Sequence, residues 1–300
     1  MTAGTALKQG FIAARRAGGA VWVLFLVNLG LAALAAYPIY RGILNFGGHS
    51  LMSQELARGF PTDWMTDFNF NSPRSLERYG MVFAFMGILS MIVNSVLAGG
   101  VLARFREPNL PRGLGDFCRD VARYSWRMVR LMILGLICYW IIFRLLNQSL
   151  GDLVGKWTRD LIDDRAVFWA HLGVVLLVMA GLVFVNLVVD YARVKLILDD
   201  EYSAAGAFLS SLGFSIARLR KALVVYALPS LCGLLLLGVY RLVTPWSTIN
   251  ASLGGSGGWH YREPLTLALL FVGQQIIMFG RYWFRVATWA SEWSYFSGSR

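Results

Sequence analysis

Apolar residues along this chain do not alternate with polar ones. They gather in unbroken runs of roughly 20, the length at which a helix crosses about 30 Å of hydrocarbon. Six such runs stand out, at 20–40, 80–102, 128–147, 166–189, 224–242 and 264–280. Barrel strands would alternate lipid-facing with lumen-facing residues, so continuous runs exclude them. Helices close their own backbone hydrogen bonds, which lipid cannot do. The pattern predicts an all-α polytopic transmembrane helical bundle, read as a single integral membrane domain over 1–300. Lys8, Arg15 and Arg16 precede the first run with no acid among them, and Ala33-Leu34-Ala35 has the look of a signal-peptide cleavage site. The run continues to Tyr37 and Tyr40, beyond the usual core of about 7–15 residues. It is therefore expected to remain as the first membrane helix.

Between the runs the pattern changes period. After Pro108, Pro111, Gly113 and Gly115, Asp116 is a plausible N-cap. Phe117, Val121, Tyr124 and Met128 then fall at i, i+4, i+7 and i+11, beside a stripe of Arg119, Arg123, Arg127 and Arg130. This predicts a basic amphipathic helix on the cytoplasmic membrane surface that runs into the third span. A second surface helix is predicted over 204–223, after the acidic turn Asp199–Ser203, with Arg218, Arg220 and Lys221 at its end. Polar connections at 41–79, 148–165 and 244–263 are expected on the opposite side, with a short helix near 51–58 and a flexible GGSGG at 254–258. Arg281, Tyr282, Trp283 and Arg285 extend the sixth run at the interface. Trp289 and Trp293 predict a tail helix lying in the headgroup region.

Composition sharpens this picture. Apolar residues make up 57% and charged residues 15%, against roughly 45–50% and 25% in soluble domains. The formal charge of +11 would suggest nucleic acid if it were diffuse. Instead the basic residues cluster at the ends of apolar runs, and no nucleic-acid partner is expected. Seven arginines between Arg104 and Arg130, and five basic residues between Arg193 and Lys221, lie on segments that the six-span layout places inside. By the positive-inside rule both termini face the cytoplasm.

Two stretches resemble each other. Val93-Asn94 and Val185-Asn186 hold matching places near the inner ends of the second and fourth runs, and Phe117 and Phe208 begin the two amphipathic stripes. Basic clusters follow each. The offset is 92 residues at one end and 91 at the other. Units 80–147 and 166–242 are thus candidates for a parallel internal repeat, related about an axis along the membrane normal.

Chemistry-bearing residues are sparse. His49, His171 and His260 are scattered with no carboxylate at ligand spacing, so no metal site is predicted. Cys118, Cys138 and Cys232 form no CxxC or disulfide framework. No Lys-Ser/Thr follows the glycine run, so it is not a phosphate cradle, and no cofactor is expected. The carboxylates at 160–164 and 199–201 sit at element ends, where solvated caps are the ordinary explanation. Polar groups at membrane depth carry the functional question. They are Asn28, Asn94, Arg144, Asn186, Asp190, Gln274 and Gln275. Asn186, Asp190 and Arg193 share one helix face, which predicts an Asp–Arg pair with an amide above it. The plain reading of the Asp–Arg pair is an interfacial ion pair that ends a membrane helix; for Gln274 and Gln275 it is helix–helix hydrogen bonding, with a polar substrate path as the sharper alternative. Arg144 is placed to snorkel outward.

The stretch "ILDDEYSAAGAFLSSLGFSIARLRKALVVYAL" resembles bacterial membrane proteins related to the membrane domain of glycerophosphodiester phosphodiesterases. The likeness is best over 185–245 and looser over 93–146. The resemblance implies a bacterial inner-membrane location and an accessory or scaffold role without catalytic residues, because that family's catalytic barrel is a separate soluble domain. The expected function is a non-enzymatic accessory subunit. Its two basic helices would bind anionic lipid head groups and a membrane or cytoplasmic protein partner, through Arg119, Arg123, Arg127, Arg130, Arg218, Arg220 and Lys221. The alternative is a transporter or channel lined by Asn94, Asn186, Asp190, Arg193, Gln274 and Gln275.

Overall fold

A computed structural model describes residues 2–47, 66, 70, 75–106, 113–159, 164–243 and 264–299. The predicted helix at 51–58, the GGSGG stretch, His49, His260, Asp160 and Asp163 lie outside the described residues. All regular structure among the described residues is helical. The helices are α1 (Ala3–Arg16), α2 (Gly18–Gly47), α3 (Ser75–Arg106), α4 (Leu114–Ile142), α5 (Gly151–Thr158), α6 (Asp164–Leu198), α7 (Ala204–Ala217), α8 (Leu219–Val243) and α9 (Pro264–Ser297). A π-helical stretch, Phe143–Leu150, joins α4 to α5, so Leu114–Thr158 is one continuous helical rod of 45 residues.

Five helical segments are long and apolar enough to cross a bilayer: Gly18–Gly42, Glu77–Arg106, Leu114–Thr158, Arg165–Leu198 and Leu219–Tyr240. The sixth run opens α9 and is not among these five. The connection expected over 148–165 is helical as far as Thr158. The predicted surface helix over 204–223 breaks at Arg218, so Arg220 and Lys221 start α8 instead of ending α7. Helix α1, which no apolar run announces, is capped by Thr2, whose hydroxyl accepts from the Thr5 N–H. It buries Ala6, Leu7, Gly10 and Ala14.

The chain divides into two compact units. One holds 1–17, 95–228 and 287–300; the other holds 18–94 and 229–286. In the first unit the buried apolar residues come mainly from helix ends. They include Ala98, Val101 and Leu102 of α3, Phe117, Tyr124 and Met128 of α4, Leu187, Tyr191, Leu196 and Ile197 of α6, and Ala287, Trp289, Tyr295 and Phe296 of α9. Length explains the arrangement. At about 1.5 Å per residue, α6 and α9 are about 50 Å long, well beyond the roughly 30 Å of a hydrocarbon core. The surplus is where protein packs on protein. Elsewhere large apolar side chains stay exposed, such as Leu176, Leu177 and Met179 of α6. Exposure on that scale suits lipid as the solvent and would be unfavourable in water.

Small residues set the helix contacts. A side chain at Gly100 would run into Val121 and Phe117, and one at Gly99 would crowd Tyr124 and Met128. Ser95 completes this face by donating to the Met128 carbonyl at 3.2 Å. The apolar stripe of α4 therefore packs against α3, not against lipid. In the second unit, Trp22 and Phe25 of α2 meet Phe279 of α9 at 4.6 and 5.7 Å between ring centres. Gly280 there admits Leu236 of α8.

Candidate functional site

The first unit contains the cationic groups that the sequence marks out. They are organised around the end of α6. There the Asp200 N–H bonds the Ile197 carbonyl at 3.4 Å and the Glu201 N–H bonds the Leu196 carbonyl at 3.1 Å. Asp200 itself has φ of +50°. This is a Schellman termination with aspartate in the left-handed position that glycine usually fills. Asp and Asn visit that conformation more readily than other side-chain-bearing residues. Ser203 then caps α7 by accepting from the Gly206 N–H at 3.1 Å.

The turn projects the Asp200 carboxylate at the basic stripe of α4. Arg127 Nη1 donates to Oδ1 at 2.6 Å and Arg123 Nη2 to Oδ2 at 2.7 Å. The Arg127 side chain is 7% exposed, and its guanidinium lies 3.8 Å from the centre of the Tyr202 ring. Arg130 Nη2 donates to the Tyr202 carbonyl at 3.2 Å. Lys195 pairs with Glu201 at 3.4 Å. The hydrogen bond from Arg127 holds the Asp200 carboxyl below the usual carboxylate range, and the charges of Arg123 and Arg127 add to it against partial burial. Thus three arginines of the α4 stripe are latched to the acidic turn. Arg119 stays exposed beside Asp116 at 3.5 Å.

The other cationic cluster faces outward. Arg218 Nη1 donates to the Ser299 carbonyl at 2.8 Å, with its guanidinium 5.2 Å from the centre of the Phe214 ring. Arg220 and Lys221 are exposed. Small residues line the buried face of α7, namely Ala204, Ala207, Ser211 and Ser215. Its larger side chains Leu209 and Ile216 point out, at 65% and 61% exposed. Phe214 joins the packed face, 5.3 Å from the Tyr191 ring centre and 4.8 Å from that of Phe296, so the apolar stripe expected from Phe208 onward is divided between protein contact and exposure.

Asn28, Asn94, Asn186 and Asp190 are closed by protein partners. In the second unit, Asn28 and Asn94 exchange amide hydrogen bonds at 2.8 Å in both directions. In the first unit, the Tyr139 hydroxyl donates to Asn186 Oδ1 at 2.6 Å. Arg193 Nη1 donates to Asp190 Oδ1 at 2.7 Å, and Trp289 Nε1 to the same oxygen at 3.4 Å. Asp190 is fully buried eight residues before α6 ends, so this pair belongs to the core and not to a solvated interface. Arg144 Nη1 donates to Gln148 along the same helix. Gln274 is exposed and Gln275 half-buried. Gln274 and Gln275 belong to the second unit, Asn186 and Asp190 to the first. No group of three or more His, Cys, Asp or Glu placed to hold a metal ion occurs among the described residues.

Three features escaped the sequence. Asp200 looked like a solvated cap, because nothing local marks a partner 73 residues away. Glu292, fully buried on α9, had no apolar stripe to flag it. Trp289 and Trp293 are 4% and 8% exposed, so the tail predicted to lie among head groups is a buried core helix. An aromatic helix end has the same composition in either setting, and only the packing distinguishes them.

Five apolar membrane-length helices in an all-α chain define a multi-pass membrane protein. No family model, no curated protein and no solved structure matches the chain.

Proposed function

We propose that this protein is a non-enzymatic accessory or scaffold subunit of a bacterial inner membrane, with both termini in the cytoplasm, holding anionic lipid and a protein partner at its basic face. The observation that carries the reading is how the intramembrane polar groups are spent. Asn28 is paired with Asn94, Asn186 with Tyr139, and Asp190 with Arg193 and Trp289. Groups committed to one another in this way fix helix positions and are not left over for a passing solute. The outward cations, Arg119, Arg218, Arg220 and Lys221, remain for surface partners.

One contact supports this orientation. Gly10 of α1 lies against Ser291 of α9, with the ideal Cβ position 2.6 Å from the Ser291 Cα. Two segments in contact outside the hydrocarbon lie on the same side of the bilayer, which requires an even number of crossings between them. Five candidate spans plus the first part of α9 give six. The basic residues at the ends of the spans make that side cytoplasmic.

The test is a gentle-detergent purification of the native protein followed by intact mass spectrometry. The expected result is one protein partner at fixed stoichiometry, lost from R119E while the chain stays folded. Recovery alone, with only lipid or a small polar solute attached, overturns the subunit reading. The transporter alternative is favoured by Glu292, a carboxylate with no exposure. Solute uptake by reconstituted protein that is abolished in E292Q would establish it instead.

A further inference from the structure

Where α7 breaks and α8 begins, the surface opens into a groove of about 750 Å³. Its wall is the segment Ile216–Lys221, closed on the far side by Tyr295, Gly298 and Ser299. We infer that this groove is a binding site for the phosphate head group of an anionic phospholipid.

Four observations converge. The groove is lined by three cations, Arg218, Arg220 and Lys221, and by no carboxylate among the described residues. Arg218 is already held in place by the Ser299 carbonyl and the Phe214 ring, so less side-chain freedom is lost when it meets an anion. Arg220 and Lys221 make no hydrogen bond or ion pair among the described residues, in contrast with the latched arginines of α4. The apolar residues that share the wall, Ile216 and Leu219, are 61% and 42% exposed. A free phosphate would have no use for them, but the glycerol backbone and upper acyl carbons of a lipid would cover them.

Position along the chain points the same way. Leu219 is the first residue of the apolar span Leu219–Tyr240, so the groove sits at headgroup level for any bilayer that span crosses. Basic residues next to a span attract anionic lipid through the negative surface potential of the leaflet. Here the cations are gathered in a concave site with an apolar flank, which favours one bound lipid over a diffuse cloud.

The inference rests on the lipid-contacting half of the proposed function and is independent of the protein partner. It is tested on the purified full-length chain with no partner present, by native mass spectrometry against phosphatidylglycerol and phosphatidylcholine. The expected result is a preference for phosphatidylglycerol that falls about tenfold in R220Q/K221Q, the loss of roughly one charge-assisted contact. The charge-matched variant K8Q/R15Q, altered on exposed positions of α1, should keep the preference. The R220Q/K221Q variant spares Arg218, whose bond to Ser299 contributes to the fold. Equal losses in both variants would reduce the effect to overall charge and overturn the site. Displacement of the lipid by inorganic phosphate at matching concentration would assign the groove to a free anion and overturn the lipid. Failure here leaves the co-purification of a partner untouched, and absence of a partner leaves this titration untouched.

Discussion

At Asp200 the backbone and the side chain favour different residues. A φ of +50° suits glycine, but the two arginines at 2.6 and 2.7 Å need a carboxylate. Asp200→Asn keeps a tolerable left-handed turn and removes the charge. It should cost about 2 kcal/mol, the scale of hydrogen bonds to a charged group, because Arg127 is left almost buried without its counter-ion. Asp200→Gly loses the same contacts but recovers about 0.5–1 kcal/mol of backbone strain, so its melting point should fall between those of D200N and wild type. The pH dependence follows from the lowered carboxyl. A group held below its unfolded value of about 3.9 contributes fully above that pH, and its contribution fades as the pH falls through the folded value. Melting in detergent should therefore show a loss below about pH 4 in wild type that D200N lacks. Identical acid limbs in the two proteins would mean the latch contributes nothing. At the other polar pair, Asn94→Leu should cost about 1 kcal/mol in a denaturing-detergent titration, since Asn28 loses both its bonds to position 94. Residue-scale chemistry was legible only where it was local. Asp190 and Arg193 are three apart and their pairing follows from helix geometry, whereas Arg127 and Asp200 are joined by a fold that no spacing reveals.

Helices here meet through residues that have little side chain to offer. Gly99 and Gly100 let α4 approach α3, and Gly10 lets α1 approach α9 until an added Cβ would lie 2.6 Å from the Ser291 backbone. Gly10→Leu should therefore force α1 away from α9, at a cost of about 1–3 kcal/mol for overpacking. Limited proteolysis reads this as faster cleavage within 3–16, and unchanged cleavage would show that α1 adapts without leaving. Much at this scale was written in the sequence. Ser95 and Gly99 lie four apart on an apolar run, the small-residue spacing of a close helix contact, and the basic helix at 114–130 does flow into its span as one rod. The side each helix shows was harder to read. Ala204, Ala207, Ser211 and Ser215 are no more apolar than their neighbours, so nothing in the pattern says that α7 packs by its small residues and leaves Leu209 and Ile216 outside. The Arg218 break between α7 and α8 has neither Gly nor Pro at its centre to mark it.

Across the whole molecule, the six crossings we propose require residues 3–16 and 287–297 to lie on one side. In protein whose native Cys118, Cys138 and Cys232 have been replaced, single cysteines at Thr2 and Ser299 should both react with a membrane-impermeant reagent only in inverted vesicles. Labelling of the two from opposite sides would leave α9 uncrossed and the span count odd. Five of the six membrane segments were readable as apolar runs because hydrocarbon thickness imposes a minimum run length on any sequence that crosses it. The packed ends of the helices were not, because no solvent boundary dictates their composition: they lie where lipid no longer selects for apolar residues and protein contacts have taken over.

The burial of α9 also sets a timetable. Trp293, Tyr295 and Phe296 fill the space among helices that are translated well before them. A ribosome making this chain will therefore have released α1, α3, α4, α6 and α7 into the bilayer or the cytoplasm before their shared core exists. Until then Phe105, Tyr191 and Phe214 have no C-terminal aromatics to close on, and the nascent protein is a set of inserted helices awaiting its keystone. Quality-control proteases act on such intermediates, and this one would shut them out only after α9 has been made.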